Sequence, residues 1–284
     1  MTEKLHMTFD EVADLYDAVR PTYPSALVEA VNSALEGTQR RILEIGCGTG
    51  QATQPFARQG CRITALEPGP RLAMLAAKNL AAFPQVDIQT ITFEDWPAAE
   101  GQYDLVMSAT AFHWVSPELR YAKSARTLTG EGWLALFWNI EASDESVVGQ
   151  QIQVVYDKHM PPNKAHPYAT HHPMSHNNQQ DTKIFRWQEE IDQSHLFGDV
   201  RVMQFPWVRW YATDQYLQLL ETYSDHQALP SENRSGLFGG IEEILVRNGG
   251  GRNKPYLTVL YLAKRRKPPP FMGEMDSASS VFGR

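Results

Sequence analysis

The residues Arg41-Ile42-Leu43-Glu44-Ile45-Gly46-Cys47-Gly48-Thr49-Gly50-Gln51-Ala52-Thr53, followed by Ile63-Thr64-Ala65-Leu66-Glu67-Pro68, decide how the rest of the chain is read. Ile42, Leu43 and Ile45 form an apolar run bounded by glycine, the pattern of a parallel strand buried on both faces. Gly46, Gly48 and Gly50 crowd the turn after it. Glycine lets the backbone turn sharply and lets a bound molecule come close, so the missing bulk points to a ligand. A helix beginning near Thr49 would turn its unpaired N–H groups to the same place. Glu67 ends the next predicted strand, twenty-one positions after Gly46. That is where an α/β nucleotide site places the carboxylate that accepts from ribose hydroxyls.

Glycine spacing separates the cofactor families that use this architecture. The dinucleotide fingerprint G-x-G-x-x-G requires a third glycine at position 51 or 53, and these are Gln51 and Thr53. The run Glu44-x-Gly46-x-Gly48-x-Gly50 instead resembles the first motif of the class I S-adenosylmethionine-dependent methyltransferases. The resemblance extends to a small-molecule group that includes enzymes of quinone biosynthesis (the type 11-like methyltransferases). It implies that Glu44 helps to hold the cofactor's amino group and that Glu67, followed by Pro68, takes the ribose. It also gives a role to Tyr16-Asp17-x-x-Arg20-Pro21-x-Tyr23-Pro24, which is similar to a segment that folds over the cofactor pocket as a lid. There an arginine at position 20 would pair with the methionine carboxylate, and tyrosines at 16 and 23 would shield the sulfonium from water. The alternative for this segment is an amphipathic helix packed on the sheet with Arg20 in solvent. In many relatives an Asp at the end of the third strand accepts from the adenine amino group. Thr92 stands at that position here, so its hydroxyl, the backbone at Phe93, or Glu94 must substitute.

Composition narrows the remaining classes. A chain of 284 residues, 42% hydrophobic, is long enough for one large α/β domain. Its formal net charge of −7 gives no support to general polyanion binding, so nucleic acid is disfavoured as a partner. Cys47 and Cys61 are the two cysteines, each within or at the start of a predicted strand. That usage suits a reducing, cytoplasmic setting and no disulfide framework. No apolar run approaches the ~20 residues of a bilayer span, and the first residues lack a signal pattern, so no membrane association is expected.

Taken in order, Thr8 and Glu11 make a capping box for a helix whose apolar face includes Phe9, Val12, Ala13, Tyr16 and Val19. Strands are expected at 41–47, 61–67, 86–92, 103–109 and 132–139, with helices between them. The loop Ser108-Ala109-Thr110-Ala111-Phe112-His113-Trp114 follows the fourth strand, at the carboxyl edge where open α/β sheets bind ligands. Ala109 should approach the methionine part of the cofactor. His113 is the most plausible general base, its alternative being a structural histidine bonded to a neighbouring loop.

Residues 141–197 break the alternation and read as a cap. They contain Pro161-Pro162 and a polar tract with His166, His171, His172 and His176. That tract lacks cysteine and any helical His-x-x-x-His pair with a following acid, so no metal site is expected. Strand character returns at 200–210 and 256–262. Thr222-Tyr223-Ser224-Asp225-His226 either caps a helix C-terminus or reaches the acceptor.

These readings give an α/β, Rossmann-like class I methyltransferase fold: a mostly parallel seven-stranded sheet, helices on both faces and a helical cap. Residues 1–264 form one domain, divided into N-terminal lid helices (1–35), cofactor-binding core (36–140), cap insertion (141–197) and completion of the sheet (198–264). Residues 265–284 are expected to be a disordered tail. The expected activity is methyl transfer from S-adenosylmethionine, leaving S-adenosylhomocysteine, to an O, N or C atom of a small organic acceptor, by a monomer or homodimer. The alternatives are a nicotinamide oxidoreductase, which would bind NAD, and a non-catalytic module, which would bind S-adenosylmethionine without turnover.

Overall fold

A computed structural model describes residues 13–98, 100–160 and 179–266. The Thr8/Glu11 capping box, the histidine tract and the tail from residue 267 onward lie outside the described residues.

Strands β1 (Arg41–Ile45), β2 (Arg62–Leu66), β3 (Val86–Gln89), β4 (Tyr103–Ala109) and β5 (Leu128–Glu141) are joined with β6 (Arg201–Ala212) and β7 (Gly251–Lys264) in one seven-stranded sheet of order β3-β2-β1-β4-β5-β7-β6. The first five strands are parallel, and β7 runs antiparallel to both β5 and β6. The chain leaves β1 toward β2 and β3, then crosses back to β4, so the switch point lies between β1 and β4. In open α/β sheets the crevice that binds ligands lies at such a point, outside the carboxyl ends of the strands.

The apolar runs of the strands fill cores on both sides. Ile42, Leu105, Met107 and Phe137 face α2 (Ser25–Ala34), α3 (Thr53–Arg58) and α4 (Pro70–Asn79), while Leu43, Val106, Leu136 and Trp138 face α5 (Arg120–Thr127) and α7 (Gln179–Ser194). Side chains alternate along a strand, so a chain that buries both kinds of position reads as a continuous apolar run. β3 ends earlier than its sequence suggests, because the backbone after Gln89 bends into a turn closed by Thr92 and Asp95. β5 begins earlier than expected, with an irregular register between Tyr103 and Leu105 that absorbs Thr129 to Gly132.

A third core lies above the crevice. Strands β6 and β7 are 12 and 14 residues long against 5 for β1, so their ends overhang the carboxyl edge of the sheet. Tyr211 and Tyr256 on that overhang pack with Ile152 and Tyr156 of α6 (Val147–His159), Tyr216 and Leu219 of α8 (Thr213–Glu221), and Leu237 and Ile241 of α9 (Ser231–Arg247). The helices over the crevice thus come from both 147–159 and 213–247. Helix α7, from the same insertion as α6, instead packs through Trp187 and Ile191 onto the sheet. No helix among the described residues is long and apolar enough to cross a membrane.

Candidate active site

The glycine turn sits at the mouth of the crevice. Gly46, Gly48 and Gly50 have φ of 71°, 58° and 89°, left-handed conformations that side chains disfavour. The N–H groups of Gly46 and Cys47 both donate to the Leu66 carbonyl, at 2.8 and 3.0 Å, which stitches the turn to β2. A Cβ on Gly46 would stand 2.5 Å from the Ala111 Cβ, and one on Gly50 would stand 2.7 Å from a Leu80 methyl. At these two positions the protein's own side chains, not a ligand, account for the missing bulk. Regular helix begins at Thr53, not Thr49, because Gly50 N–H and Gln54 N–H close successive turns on the Cys47 and Gly50 carbonyls.

Two carboxylates lie beneath and beside this turn. Glu67 accepts from Gly48 N–H and from Gly69 N–H, each at 2.9 Å, so it shapes the turn as well as facing it. Glu44 is fully buried, and neither of its oxygens has a hydrogen-bond partner among the described residues. The Thr49 and Thr53 hydroxyls are buried and unpartnered beside the same turn. Burial pushes the Glu44 carboxyl up to about 7; the Thr53 hydroxyl opposes this and the charge of Glu67 adds to it. Burial and the same two acids raise the Cys47 thiol well above its ordinary value, so it stays protonated.

The segment Arg20 to Tyr23 forms a strap across the crevice. It follows α1 (Ala13–Val19), in which Tyr16 has a helical backbone. Arg20 is only 8% exposed: its Nε donates to Thr222 Oγ1 at 2.9 Å, one Nη to the Thr222 carbonyl at 2.7 Å, and its guanidinium lies 4.9 Å over the Tyr223 ring. The Arg20 carbonyl receives Gln51 from the glycine turn at 3.4 Å and Arg209 from β6 at 2.7 Å. Asn139, near the end of β5, donates to the Thr22 carbonyl at 3.0 Å, and Tyr23 shares a 3.0 Å hydrogen bond with Thr110 beyond β4. One short segment therefore ties together the glycine turn, the ends of β4, β5 and β6, and the cap. Hydrogen bonds from a charged group contribute about 1.5–3 kcal/mol each. Arg20→Met should accordingly lower unfolding free energy by roughly 2–3 kcal/mol in urea titration; a change below about 0.5 kcal/mol would mean that the latch carries no stability.

Beyond β3, Thr92 Oγ1 donates to Asp95 at 2.8 Å and accepts from its N–H at 3.1 Å. Glu94 accepts from Ser116 N–H at 2.8 Å. The Phe93 ring is buried beside Trp96, with Lys123 5.2 Å above it. His113 stands on a short 3₁₀ turn, Phe112–Trp114, where the Trp138 indole N–H points at its Nδ1 from 3.5 Å. Trp138 is itself stacked on Trp187 with ring centroids 4.5 Å apart. The N–H from Trp138 favours the tautomer that carries its proton on Nε2.

The methyltransferase-domain family profile matches residues 42–132, which hold β1 to β4, the glycine turn and His113. Over those residues the chain is similar to a methyltransferase domain. An uncharacterised methyltransferase of Mycobacterium tuberculosis is 33% identical over 135 residues, covering 48% of this chain and 53% of its own length. This chain therefore spans about half of that relative. A methyltransferase-like protein of Schizosaccharomyces pombe is 26% identical, over 82% of this chain and 84% of its own. Among solved structures, one titled as a type II methyltransferase from Anaeromyxobacter dehalogenans superposes with a TM-score of 0.61 at 20% identity, covering 88% and 99% of the two chains. Phosphoethanolamine N-methyltransferase 2 of Haemonchus contortus, solved with S-adenosyl-L-methionine, gives 0.50 at 12% identity over 90% and 57%.

The class I methyltransferase cofactor suits the residues at the mouth of this crevice. The turn of positive-φ glycines lets a ligand approach the backbone, and the buried Glu44 oxygens await a donor such as an amino group. Sequence reasoning named Glu44, Gly46, Gly48, Gly50, Glu67, Pro68 and Ala109, and the fold gathers them at the carboxyl ends of β1, β2 and β4. It gave no role to Gln51, Asn79 or Asn139, and it named Thr110 and Thr222 within loop segments without their ties to the strap. Asn79 joins the N-terminal helix to the turn by donating to Asp17 at 2.9 Å and to the Thr49 carbonyl at 3.0 Å. Asn139 could have been found from the rule that ligand sites gather at strand carboxyl ends.

Proposed function

We propose that this methyltransferase moves the methyl group of S-adenosylmethionine to an O, N or C atom of a small organic acceptor held between the strap and the cap. The observation that carries this reading is the convergence of Glu44, Glu67 and the strap on one glycine turn, beneath a helical roof. When bound, the cofactor supplies an electrophilic methyl on a good leaving group, so the chain has mainly to align, shield and accept a proton where one is released.

Each residue takes a role that its surroundings permit. Glu67 keeps acceptor capacity for ribose hydroxyls, since a carboxylate oxygen that receives one N–H can accept another donor. Glu44, with Thr53 beside it, receives the amino group, and Arg20 with Tyr16 and Tyr23 closes over the methionine end. Because Thr92 and Glu94 are engaged with Asp95 and Ser116, the backbone of Phe93 is the strongest of the three candidates for reading adenine. Ala109 leaves room beside the methyl. His113 serves as base for a phenol or amine after releasing the Trp138 N–H from Nδ1, and a carboxylate acceptor requires no base. The two buried, unpaired cysteines fit a cytoplasmic protein.

Calorimetric titration with S-adenosylmethionine, S-adenosylhomocysteine and NAD tests the donor: the two sulfur nucleotides should bind and NAD should not, and binding of NAD alone would refute the reading. The base is tested by following S-adenosylhomocysteine formation from small phenols, amines and acids. His113→Gln should slow transfer to phenols or amines by about 10²-fold and flatten the acid limb of the pH profile. An unchanged profile would assign His113 a structural role.

A further inference from the structure

Beyond β3 the chain makes one helical turn, and a single side chain collects its carbonyls. The Trp96 N–H donates to the Thr92 carbonyl at 3.1 Å, which closes the turn. The Trp96 indole N–H donates to the Gln89 side chain at 3.1 Å, which fixes the turn to the last residue of β3. Lys123, from the middle of α5, donates to the Glu94 carbonyl at 2.8 Å and to the Trp96 carbonyl at 2.6 Å. Its ammonium lies 5.2 Å over the ring of Phe93, which is 3% exposed. Two carbonyls and a ring face thus surround this cation.

The groups of a helical turn point along its axis, N–H one way and C=O the other. An ammonium gathered on the carbonyls therefore leaves the N–H groups of Phe93 and Glu94 at the opposite end. Neither of these N–H groups donates to a described residue. The turn stands close to the acid proposed for the ribose, because the Glu67 N–H donates to the Gln89 carbonyl at 3.0 Å. The side chains around it are already engaged, Thr92 with Asp95 and Glu94 with Ser116.

We propose that Lys123 is a positioning residue for purine selection: it holds the turn so that the Phe93 N–H meets N1 of the base, and the site thereby takes adenine and rejects hypoxanthine. This rests on the donor site given above, in which the Phe93 backbone reads adenine, and adds the residue that makes the reading selective. The two bases differ at the atom in question. Adenine N1 is an acceptor, whereas hypoxanthine N1 carries a hydrogen, so a fixed N–H pairs with the first and opposes the second. A donor in a loose turn can move away from the mismatch, and a donor held from behind cannot. Carbonyls bonded to a cation also polarise the amides of the turn, which strengthens their N–H groups as donors. Lys123 acts through the turn, not on the base.

Calorimetric titration with S-adenosylhomocysteine and S-inosylhomocysteine, which differ only in the base, tests this. The wild type should bind the adenine nucleotide about 30-fold tighter, the effect of a donor left unpaired against the wrong base. In Lys123→Met the ratio should fall below fivefold through weaker binding of the adenine nucleotide, while affinity for the inosine nucleotide changes by less than threefold. That retained affinity also shows the variant to be folded. If Lys123→Met does not fold, Lys123→Gln, whose amide can serve one of the two carbonyls, should show a ratio below tenfold. A ratio that is unchanged in the folded variant, or an equal loss of affinity for both nucleotides, overturns the role of Lys123 and leaves the donor site standing. Equal binding of the two nucleotides by the wild type removes the reading of adenine by Phe93, failure to bind either removes the donor site, and the role of Lys123 falls in both cases.

Discussion

Glu44→Gln is expected to make the cofactor-free protein more stable at pH 8 and, at the same time, to weaken its binding of S-adenosylmethionine at least tenfold. The two effects have one cause. Glu44 is fully buried with both oxygens unpartnered, and its carboxyl is raised from 4.5 to about 7. An acid whose folded-state pKa lies above its unfolded value stabilises the fold fully only below the unfolded value, and that stability drains away as pH rises toward the folded one. Between pH 4.5 and 7 the wild-type protein should lose about 3 kcal/mol from this group, since each tenfold fall in proton concentration across that window costs about 1.4 kcal/mol. For a chain of this length that is roughly 6–12 °C in melting temperature. Glutamine has no charge to desolvate, so the variant's stability should be flatter over that window and cross above the wild type as pH rises.

Binding should show the opposite ranking, because an amino group laid against the carboxylate favours the ionised form that glutamine lacks. Cofactor binding by the wild type near pH 7 should release protons, which calorimetry in buffers of different ionisation enthalpy would detect. Unfolding curves of wild type and variant that stay parallel from pH 4.5 to 8 would show that Glu44 is ionised and solvated in the cofactor-free protein.

How much of the fold and the site is legible in the sequence follows the range of the interactions. The β1 run, the spaced glycines and the acid at Glu67 lie within one strand-turn-helix-strand unit, where period and spacing determine geometry, and that unit carries both the start of the fold and the proposed donor site. The roof is harder to read. Helices α6 and α7 come from the same insertion, yet one joins the cap and the other the sheet. The choice is made by side chains far away in sequence, such as Trp138 for Trp187 and Tyr211 and Tyr256 for the cap. Arg20 and Thr222 are separated by 202 positions, and no local pattern in either announces the other. Thr222 does cap α8, through its hydroxyl on the Leu219 carbonyl at 2.6 Å. The same residue also latches the strap, a second role that capping chemistry does not disclose. His226 is more deeply placed than its sequence context suggests: it is fully buried, bonded to Tyr156 at 2.9 Å and to Asp225 at 2.8 Å, and belongs to the cap core.

The glycines of the turn should separate into those that the fold needs and the one that the cofactor needs. Gly46→Ala places a methyl 2.5 Å from the Ala111 Cβ, at a φ of 71°. Ala111 cannot swing aside, since its Cβ is fixed to the backbone, so the loop after β4 must move. Left-handed strain of about 1–2 kcal/mol and overpacking of about 1–3 kcal/mol add to a loss of roughly 2–5 kcal/mol, which urea unfolding would measure. Ala111→Gly in the same chain should recover the overpacking part and leave the strain, a coupling that a double-mutant cycle isolates. Gly48 differs: its N–H is bonded to Glu67, the residue proposed to take the ribose, and its φ is 58°. Gly48→Val should cost about 1–2 kcal/mol of stability from backbone strain, but should abolish measurable binding of S-adenosylmethionine by filling the approach to the backbone and displacing the Glu67 carboxylate. Circular dichroism should show the variant folded while calorimetry shows no heat of binding. A folded Gly48→Val protein that binds the cofactor as the wild type does would place the donor site elsewhere on the molecule. If Gly46→Ala proved as stable as the wild type, the close approach of Ala111 would not be what dictates glycine at position 46.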